Sequence, residues 1–200
     1  MPARTDSSLE RDPIAMFATW FADARASVKP LPHAMALATV GPGGRTSVRM
    51  VLMKDFDAAG FVFYTNYRSR KAGDLVRNAR ASLLFWWGSL ERQVRIEGRV
   101  TKVTRRESDE YFATRPRGSQ LGAWASPQSE KIADRAALDR RYAAAHARYA
   151  RAVPRPSYWG GYRLAPEAIE FWQGREDRLH DRILYRRARN GSWVTERLAP

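Results

Sequence analysis

Two stretches of the sequence combine basic and hydroxyl side chains in a way that suits an anionic ligand. In YTNYRSRKA, Arg70 and Lys71 follow Ser69, the predicted N-cap of a short helix, where unpaired N–H groups and the helix dipole favour a phosphate. In RMVLMK, Arg49 and Lys54 lie five positions apart and would face opposite sides of a regular strand. If both bind anions, they serve different groups or a bulge lies between them. Solvated basic side chains at the ends of elements are the simpler alternative.

A third stretch, YFATRPRGSQLGAWASPQS, spaces two hydroxyls and a guanidinium four residues apart. On one helical face, Tyr111, Arg115 and Ser119 would form a phosphate-binding triad. Because Pro116 disfavours helical geometry at the residue before it, we expect the three to converge around a break between two short helices.

A fourth stretch, RLHDR, places a histidine between two arginines at residues 178–182. In an extended segment, Arg178, His180 and Arg182 would share one face, whereas Leu179 and Asp181 would point the other way. This row is either a wall of a binding site or a charged strand edge that resists pairing with other chains.

Composition excludes several kinds of chemistry. The 200 residues include no cysteine and three dispersed histidines, so disulfides and thiolate sites are excluded and no metal site is expected. Patterns such as GxSxG, the P-loop, HExxH and a strand-helix GxGxxG are missing. The formal net charge of +14 favours anionic partners, but the arginines are spread along the chain and predict no nucleic-acid partner. No apolar run approaches the ~20 residues of a membrane span, so no membrane partner and a cytoplasmic location are expected.

The scaffold is predicted from periodicity and turn residues. Asp12 and Pro13 mark the start of a first helix, and Asn190-Gly191 predicts a type I′ hairpin. Further helices are predicted near 69–79, 106–115, 118–125 and 132–151, and strands in AMALATV, RTSVRMVLMKDF, FVFYT, ASLLFWW, LERQVRIEGRVTKV, YWGGYRLA, AIEFWQ, DRILYRRA and SWVTERL. Strands joined by tight turns favour an antiparallel barrel or sandwich with helices outside. We expect a flexible lead over 1–11 and a single domain over 12–200.

Taken in order, these stretches resemble one family, pyridoxamine 5′-phosphate oxidase. The resemblance covers about Asp12 to Pro200 and rests on RMVLMK, FYTNYRSRKA, LLFWW, LERQV, RPRGSQLGAW, Gln128-Ser129, WGGYR, IEFWQG, RLHDR and ERLAP. It implies a mainly β, α+β fold: an antiparallel split β-barrel that binds FMN, with peripheral helices and two active sites at a homodimer interface. The implied activity is oxidation of pyridoxine or pyridoxamine 5′-phosphate to pyridoxal 5′-phosphate in vitamin B6 metabolism, with O₂ as acceptor and H₂O₂ as product. A related flavin oxidase acting on another aromatic substrate is the alternative.

The resemblance also implies roles for individual residues. The implied FMN ligands are Arg49, Met50, Val51, Leu52, Met53, Lys54, Tyr64, Thr65, Arg70, Lys71, Gln93, Gln128, Ser129, Trp172 and Arg182. The implied substrate ligands are Lys54, Tyr111, Arg115 and Ser119 for the phosphate, and Arg178, Leu179 and His180. Of these, Arg178 and His180 are the implied catalytic pair, which orients the pyridine ring.

Overall fold

The computed structural model describes residues 10–200 and contains eight antiparallel strands and five α-helices within that range. The strands are β1 (Ala34–Val40), β2 (Thr46–Asp57), β3 (Gly60–Asn66), β4 (Arg80–Trp87), β5 (Arg92–Lys102), β6 (Trp159–Gln173), β7 (Asp181–Arg187) and β8 (Trp193–Leu198). The helices are α1 (Pro13–Ser27), α2 (Arg70–Arg77), α3 (Arg105–Thr114), α4 (Arg117–Ala125) and α5 (Arg135–Arg148).

Six of the strands close a barrel. Their order is β3-β2-β1-β4-β5-β6, and pairing of β3 with β6 completes the circle, while β7 and β8 extend the sheet beyond β6. The interior is filled by alternate residues of the strands, and α1 packs its aromatic side over one end. There the Phe17 ring lies edge-on to the Phe61 ring, with centroids 4.8 Å apart, and the side chain of Phe17 is fully buried. The predicted barrel with peripheral helices is confirmed.

The barrel is split between β2 and β3. In β2, residues 46–52 pair only with β1, and pairing with β3 starts at Met53 opposite Phe63. Residues 61–66 of β3 pair with β6 on the other side, so residues 64–66 pair with β6 alone. The two strands therefore separate, and the backbone edge of β2 over residues 46–52 is left without a strand partner within the described part of the chain. The register shift at this point leaves Lys54 unpaired in the ladder, which is the bulge that the sequence left open as an alternative.

Several local predictions need correction. The stretches YWGGYRLA and AIEFWQ form one strand, β6, because Glu167 is accommodated as a bulge opposite the pair Glu97 and Gly98 instead of ending the strand. The hairpin predicted at 190–191 joins β7 to β8, but its turn is not type I′: Gly191 has a positive φ of 85°, Asn190 has not, and Ala188 N–H bonds to Ser192 O around a three-residue loop. Helix α5 begins later than expected because Asp134 caps it by accepting from Ala137 N–H.

The extended row predicted for RLHDR is also wrong in its first part. Residues 176–178 form a 3-10 turn, in which Asp177 and Arg178 have positive φ values of 54° and 60°. Strand β7 begins only at Asp181. Alternation therefore does not set the directions of Arg178 and His180. For the predicted flexible lead, residues 1–9 lie outside the described residues, and the division into a lead and one domain stays a prediction.

Candidate active site

A cavity of about 940 Å³ lies in the split of the barrel; we call it the cleft. Its walls are the unpaired edge of β2, the end of β3, the start of α2 and the break between α3 and α4. Consecutive residues of β2, 47–52, all line it, because the strand presents its backbone edge there as well as its side chains. A cavity of this size is large enough for a drug-sized cofactor.

One end of the cleft holds a buried lysine without a carboxylate partner among the described residues. Lys71 Nζ donates to Thr65 Oγ1 (3.2 Å), Ser69 Oγ (3.2 Å) and Gln128 Oε1 (3.0 Å). Burial, aided by the nearby charge of Arg49, lowers the pKa of Lys71 to about 8. The hydroxyl of Ser69 donates to Asn66 O and accepts from Lys71, so Ser69 occupies the N-cap position without capping the helix.

Arg49 lies beside this lysine and is held by three neutral acceptors. Its guanidinium donates to Leu37 O (3.0 Å), Thr39 Oγ1 (2.8 Å) and Ser47 Oγ (2.5 Å). The carboxylate of Asp74 is 3.9 Å from Arg49 Nη2, at the limit of an ion pair. Burial lowers the pKa of Arg49, and Asp74 opposes that shift.

The other end of the cleft is built from stacked aromatic rings. The Tyr64 ring centroid is 3.9 Å from that of Tyr111 and 5.5 Å from that of Trp159, these two are 6.2 Å from each other, and all three planes are nearly parallel. The guanidinium carbon of Arg115 lies 4.5 Å from the centroid of the Trp159 ring. Arg115 Nη1 is buried and has no hydrogen-bond partner among the described residues, and burial lowers the pKa of this side chain. A buried donor without a partner is costly, and an anionic ligand in the cleft would satisfy it.

The charged side chains that line the cleft are all positive. Five cationic side chains line it and none of the lining residues that the structure describes is Asp or Glu; the five are Arg49, Lys54, Arg70, Lys71 and Arg115. Backbone amides of the β2 edge add further polar groups. The cleft is therefore suited to a ligand that carries more than one negative charge, such as a phosphate ester.

Most of the predicted site residues meet in this cleft. Those that line it are Arg49, Met50, Val51, Leu52, Lys54, Tyr64, Thr65, Arg70, Lys71, Tyr111, Arg115, Ser119, Gln128 and Ser129. The predicted break between helices is confirmed, because Arg115 is extended (φ −71°, ψ 145°) after α3 and Pro116 precedes α4. Met53 instead points into the barrel core, with 3% of its surface exposed, so the structure does not bring its side chain to the cleft.

The remaining predicted residues form a second group, which we call the edge patch: Gln93, Trp172, Arg178, Leu179, His180 and Arg182. None of them lines the cleft of the same chain. Strand pairing places three of them in a row, since Gln93 is opposite Trp172 and Trp172 is opposite Arg182. The ring of His180 lies 4.5 Å from the ring of Trp172, and its Nδ1 accepts from Arg175 N–H. The histidine is thus oriented even though it lies in the short connection between the 3-10 turn and β7.

The outer face of the sheet is apolar around these two groups. Val48 and Met50 on β2 and Trp86 on β4 are each more than half exposed. Alternation places the alanines of β1 between them on the same face, because Met35 and Leu37 point inward. Exposed apolar side chains grouped in this way are typical of a protein–protein interface.

Sequence reasoning missed three residues that shape the cleft. Thr39 accepts a hydrogen bond from Arg49, and the carboxylate of Asp74 lies 3.9 Å from the same guanidinium. The ring of Trp159 stacks against the guanidinium of Arg115. A signal existed for Thr39, which is a buried polar residue where the alternation of AMALATV predicts an apolar one. Asp74 follows Arg70 by one helical turn, a spacing that indicates proximity but not a role.

Among residues 10–200, no group of three or more His, Asp or Glu side chains is placed to hold a metal ion. Over the same range, no helix is both long and apolar enough to span a membrane.

Comparison with known protein families finds two matches along the chain. Residues 21–149 match the family described as pyridoxamine 5′-phosphate oxidase, and residues 159–200 match the one described as the pyridoxine 5′-phosphate oxidase C-terminal dimerisation region. Two curated relatives are named pyridoxine/pyridoxamine 5′-phosphate oxidase. The one from Cupriavidus pinatubonensis is 54% identical over 98% of this chain and 92% of its own. The one from Rubrobacter xylanophilus is 56% identical over 98% and 90%.

Solved structures give a similar result for the fold. PhzG from Burkholderia lata 383, in complex with tetrahydrophenazine-1-carboxylic acid, matches with a TM-score of 0.92 and 34% identity over 97% of this chain and 95% of its own. A pyridoxamine 5′-phosphate oxidase-related, FMN-binding protein from Nostoc punctiforme matches with a TM-score of 0.76 and 18% identity, over 96% of this chain and all of its own. The second likeness concerns the fold alone.

Proposed function

We propose that this chain, which belongs to the pyridoxamine 5′-phosphate oxidase family and is an oxidoreductase, converts pyridoxine or pyridoxamine 5′-phosphate to pyridoxal 5′-phosphate with FMN and O₂. When bound, FMN would supply the redox chemistry, a two-electron oxidation at C4′ of the substrate with O₂ as the final acceptor and H₂O₂ as the product. With pyridoxamine 5′-phosphate, water would then hydrolyse the resulting imine and release ammonia. The cytoplasmic location expected from the sequence stays a prediction.

The observation that carries this proposal is the unbalanced charge of the cleft. Lys71 is buried without a carboxylate at one end, and Arg115 has a buried donor without a partner at the other. The cleft thus offers two groups of residues that could each hold a phosphate, one around Lys71 and one around Arg115. We assign Arg49, Arg70 and Lys71 to the phosphate of FMN, and Lys54, Tyr111, Arg115 and Ser119 to the phosphate of the substrate.

The residues of the cleft also fit the flat part of the cofactor. The open backbone edge of β2 offers N–H and C=O groups along residues 49–52, and a planar heterocycle with polar edges can hydrogen-bond to such an edge. Gln128 fixes Thr65 and Lys71 through one carbonyl oxygen, which leaves its amide N–H₂ available for a ligand. Binding at both ends would hold the substrate ring at reacting distance.

The edge patch supplies the groups that orient the substrate ring in this proposal. Since Nδ1 of His180 accepts a backbone hydrogen bond, its neutral form carries the proton on Nε2 and presents a donor. Arg178 is exposed in the neighbouring turn and makes no ion pair among the described residues. We assign the pair to stabilising the ring oxygen while the proton leaves the hydroxyl or amino group on C4′.

The division of the site residues between the cleft and the edge patch, which we call the two half-sites, favours a homodimer. The cleft and the edge patch border the same apolar sheet face, and neither holds the complete set of site residues. The match of residues 159–200 to a family region described as a dimerisation region supports this assembly. We propose that two chains pair through that face, so that the edge patch of one chain, including Gln93, Trp172 and Arg182, completes the cleft of the other.

A second candidate function is oxidation of a different aromatic acid. PhzG, which is 34% identical, was solved in complex with tetrahydrophenazine-1-carboxylic acid, so a barrel of this kind can also bind a ligand without phosphate. Against it, Lys54, Arg115 and the hydroxyl groups of Tyr111 and Ser119 all line the cleft of this chain. A substrate with a single carboxylate would leave part of this set unpaired.

Substrate comparison tests the proposal directly. The purified protein should absorb as a flavoprotein and, under air, form H₂O₂ and pyridoxal 5′-phosphate from pyridoxine 5′-phosphate. With unphosphorylated pyridoxine, kcat/KM should be lower by about 100-fold, because charge-assisted hydrogen bonds to phosphate are lost. A protein without flavin, or one that prefers the reduced phenazine acid to the phosphate ester, would contradict the proposal.

A further inference from the structure

Asp74 is a buried carboxylate that lies behind the cleft and does not line it. It is on α2, one turn after Arg70, and 5% of its surface is exposed. Its Oδ2 accepts hydrogen bonds from Thr39 Oγ1 (2.7 Å) and Ser47 Oγ (3.2 Å). Burying a carboxylate is unfavourable unless hydrogen-bond or ionic partners compensate for the lost water, so the groups around Asp74 decide how its burial is tolerated.

The two hydroxyls connect this carboxylate to Arg49. A carboxylate oxygen can only accept, so the hydroxyl proton of Thr39 is directed at Asp74, and that of Ser47 has Asp74 Oδ2 and Thr39 Oγ1 as acceptors, each 3.2 Å away. Lone pairs of both hydroxyls are then left for the guanidinium, which donates to both at 2.8 Å and 2.5 Å. The carboxylate thereby helps to fix the direction of two of the bonds that hold Arg49, and it lies 3.9 Å from the guanidinium itself.

We propose that Asp74 is a positioning residue for the FMN phosphate: through two hydroxyl groups, it holds Arg49 in the orientation that meets that phosphate. The inference rests on the proposed function, which assigns the phosphate of FMN to this end of the cleft. The guanidinium is pre-oriented before the ligand arrives, so less order has to be created on binding.

Two other roles for Asp74 predict different results. As a negative charge near the phosphate it would repel FMN, and its removal would then tighten binding. As a staple between α2 and the barrel it would support the fold, and its removal would weaken FMN and riboflavin equally. Only the positioning role predicts that affinity is lost for FMN and kept for riboflavin.

Gly41 offers a way to move the carboxylate without removing its charge. A Cβ at this position would lie 2.7 Å from Asp74 Oδ1, closer than atoms can approach, so Gly41→Ala has to displace the carboxylate. The backbone at Gly41 is extended (φ −92°, ψ −170°) and accepts alanine without strain. This variant therefore separates the position of the charge from its presence.

The experiment is a titration of flavin-free protein with FMN and with riboflavin, followed by flavin fluorescence. For Asp74→Asn and for Gly41→Ala we expect the affinity for FMN to fall about tenfold and that for riboflavin to change by less than about twofold. The matched control is Asp109→Asn, which removes a carboxylate bound to Arg155 on another part of the surface and should leave both affinities unchanged.

The other outcomes overturn the inference in distinct ways. If Asp74→Asn binds FMN more tightly, Asp74 acts by simple repulsion of the phosphate. If its affinity falls equally for both flavins and its melting temperature is lower, Asp74 has a structural role. An unchanged ratio of the two affinities in Gly41→Ala would also contradict positioning, and this variant gives the answer if Asp74→Asn fails to fold. If the wild-type protein does not prefer FMN to riboflavin, the proposed function itself fails.

Discussion

The cleft and the edge patch each contain a partly buried arginine, Arg115 and Arg182 respectively, and the two are held in opposite ways. In the cleft, Arg115 lies on an aromatic ring, and one of its buried donors has no partner among the described residues. In the edge patch, Arg182 donates to the buried carboxylate of Glu170 at 2.9 Å and to Ala199 O at 2.8 Å. Glu170 also accepts from Arg95, so this carboxylate is shared by two cations.

The difference separates two tasks of a binding site. Positive charge without a carboxylate creates affinity for an anion, and the cleft has that charge within a single chain. Charge that is already balanced adds little affinity but fixes the direction of a side chain. The edge patch is therefore built to orient a ligand that another surface holds, and we expect it to act on the cleft of a second chain.

The largest effect is expected when each half-site is disabled in turn. Arg115→Ala removes the stacked guanidinium of the cleft and Arg178→Ala removes the exposed one of the edge patch. Each should lower kcat/KM for pyridoxine 5′-phosphate by about 100-fold, because a charge-assisted contact or the ring orientation is lost. If the two regions of different chains form one site, mixed dimers of the two variants contain one intact site, and a random mixture should recover about a quarter of the wild-type rate.

Subunit exchange has to be verified for this test. Differently tagged chains, co-expressed and purified through both tags, give dimers that contain one copy of each variant. Dimers that carry Arg115→Ala in both chains serve as the control and should stay inactive. Mixed dimers with no more activity than this control would place the cleft and the edge patch of a single chain in one site.

A smaller effect is expected from a charge on the apolar face between the two regions. Trp86 is 57% exposed and its ring centroid is 6.1 Å from that of Trp172. Trp86→Glu would bury a carboxylate in the interface and should weaken the dimer by about tenfold or more, with loss of bound flavin. Sedimentation at several protein concentrations measures the first effect and flavin absorbance the second.

The comparison variant for this substitution is Leu31→Glu. Leu31 is also a large exposed apolar residue, at 47%, but it follows α1 and lies outside the cleft and the edge patch. It should leave both the dimer and the flavin content unchanged. A Trp86→Glu protein that remains dimeric and yellow would show that the two regions do not meet across this face.

The two regions also differ in how far the sequence predicts them. Strand periodicity and turn residues predict the barrel, and local spacing predicts that Tyr111, Arg115 and Ser119 converge around Pro116. These depend on neighbours along the chain, which periodicity describes well. For RLHDR, alternation predicts a strand, yet the positive φ of Arg178 produces a turn that no short-range rule indicates.

Long-range partners are the part that periodicity does not predict. Asp74 meets Thr39 across 35 residues, and only the packing of α2 on β1 brings them together. The split between β2 and β3 similarly depends on β6, which is about 100 residues later and pairs with the end of β3. Such features follow from closure of the barrel, not from any local stretch.

The smallest effect is the pH dependence that Lys71 confers on the cleft. Its pKa is about 8 in the folded protein without ligand, whereas an exposed lysine titrates near 10.4. Between these values the folded state binds fewer protons than the unfolded chain, so the stability of the unliganded protein should rise with pH in this window. Denaturant titrations of flavin-free protein at pH 7, 8 and 9 would measure this rise.

Binding of FMN should show the opposite slope. A phosphate beside Lys71 favours its charged form and raises its pKa, so binding above about pH 8 takes up a proton and weakens as pH increases, by less than about tenfold per pH unit. Riboflavin, which has no phosphate, should show no such slope. Lys71→Arg keeps the charge over this range and should remove the pH dependence while retaining preference for FMN, because an arginine does not titrate there. An unchanged slope in that variant would assign the pH dependence to another group and leave the buried lysine as a structural contact to Thr65 and Gln128.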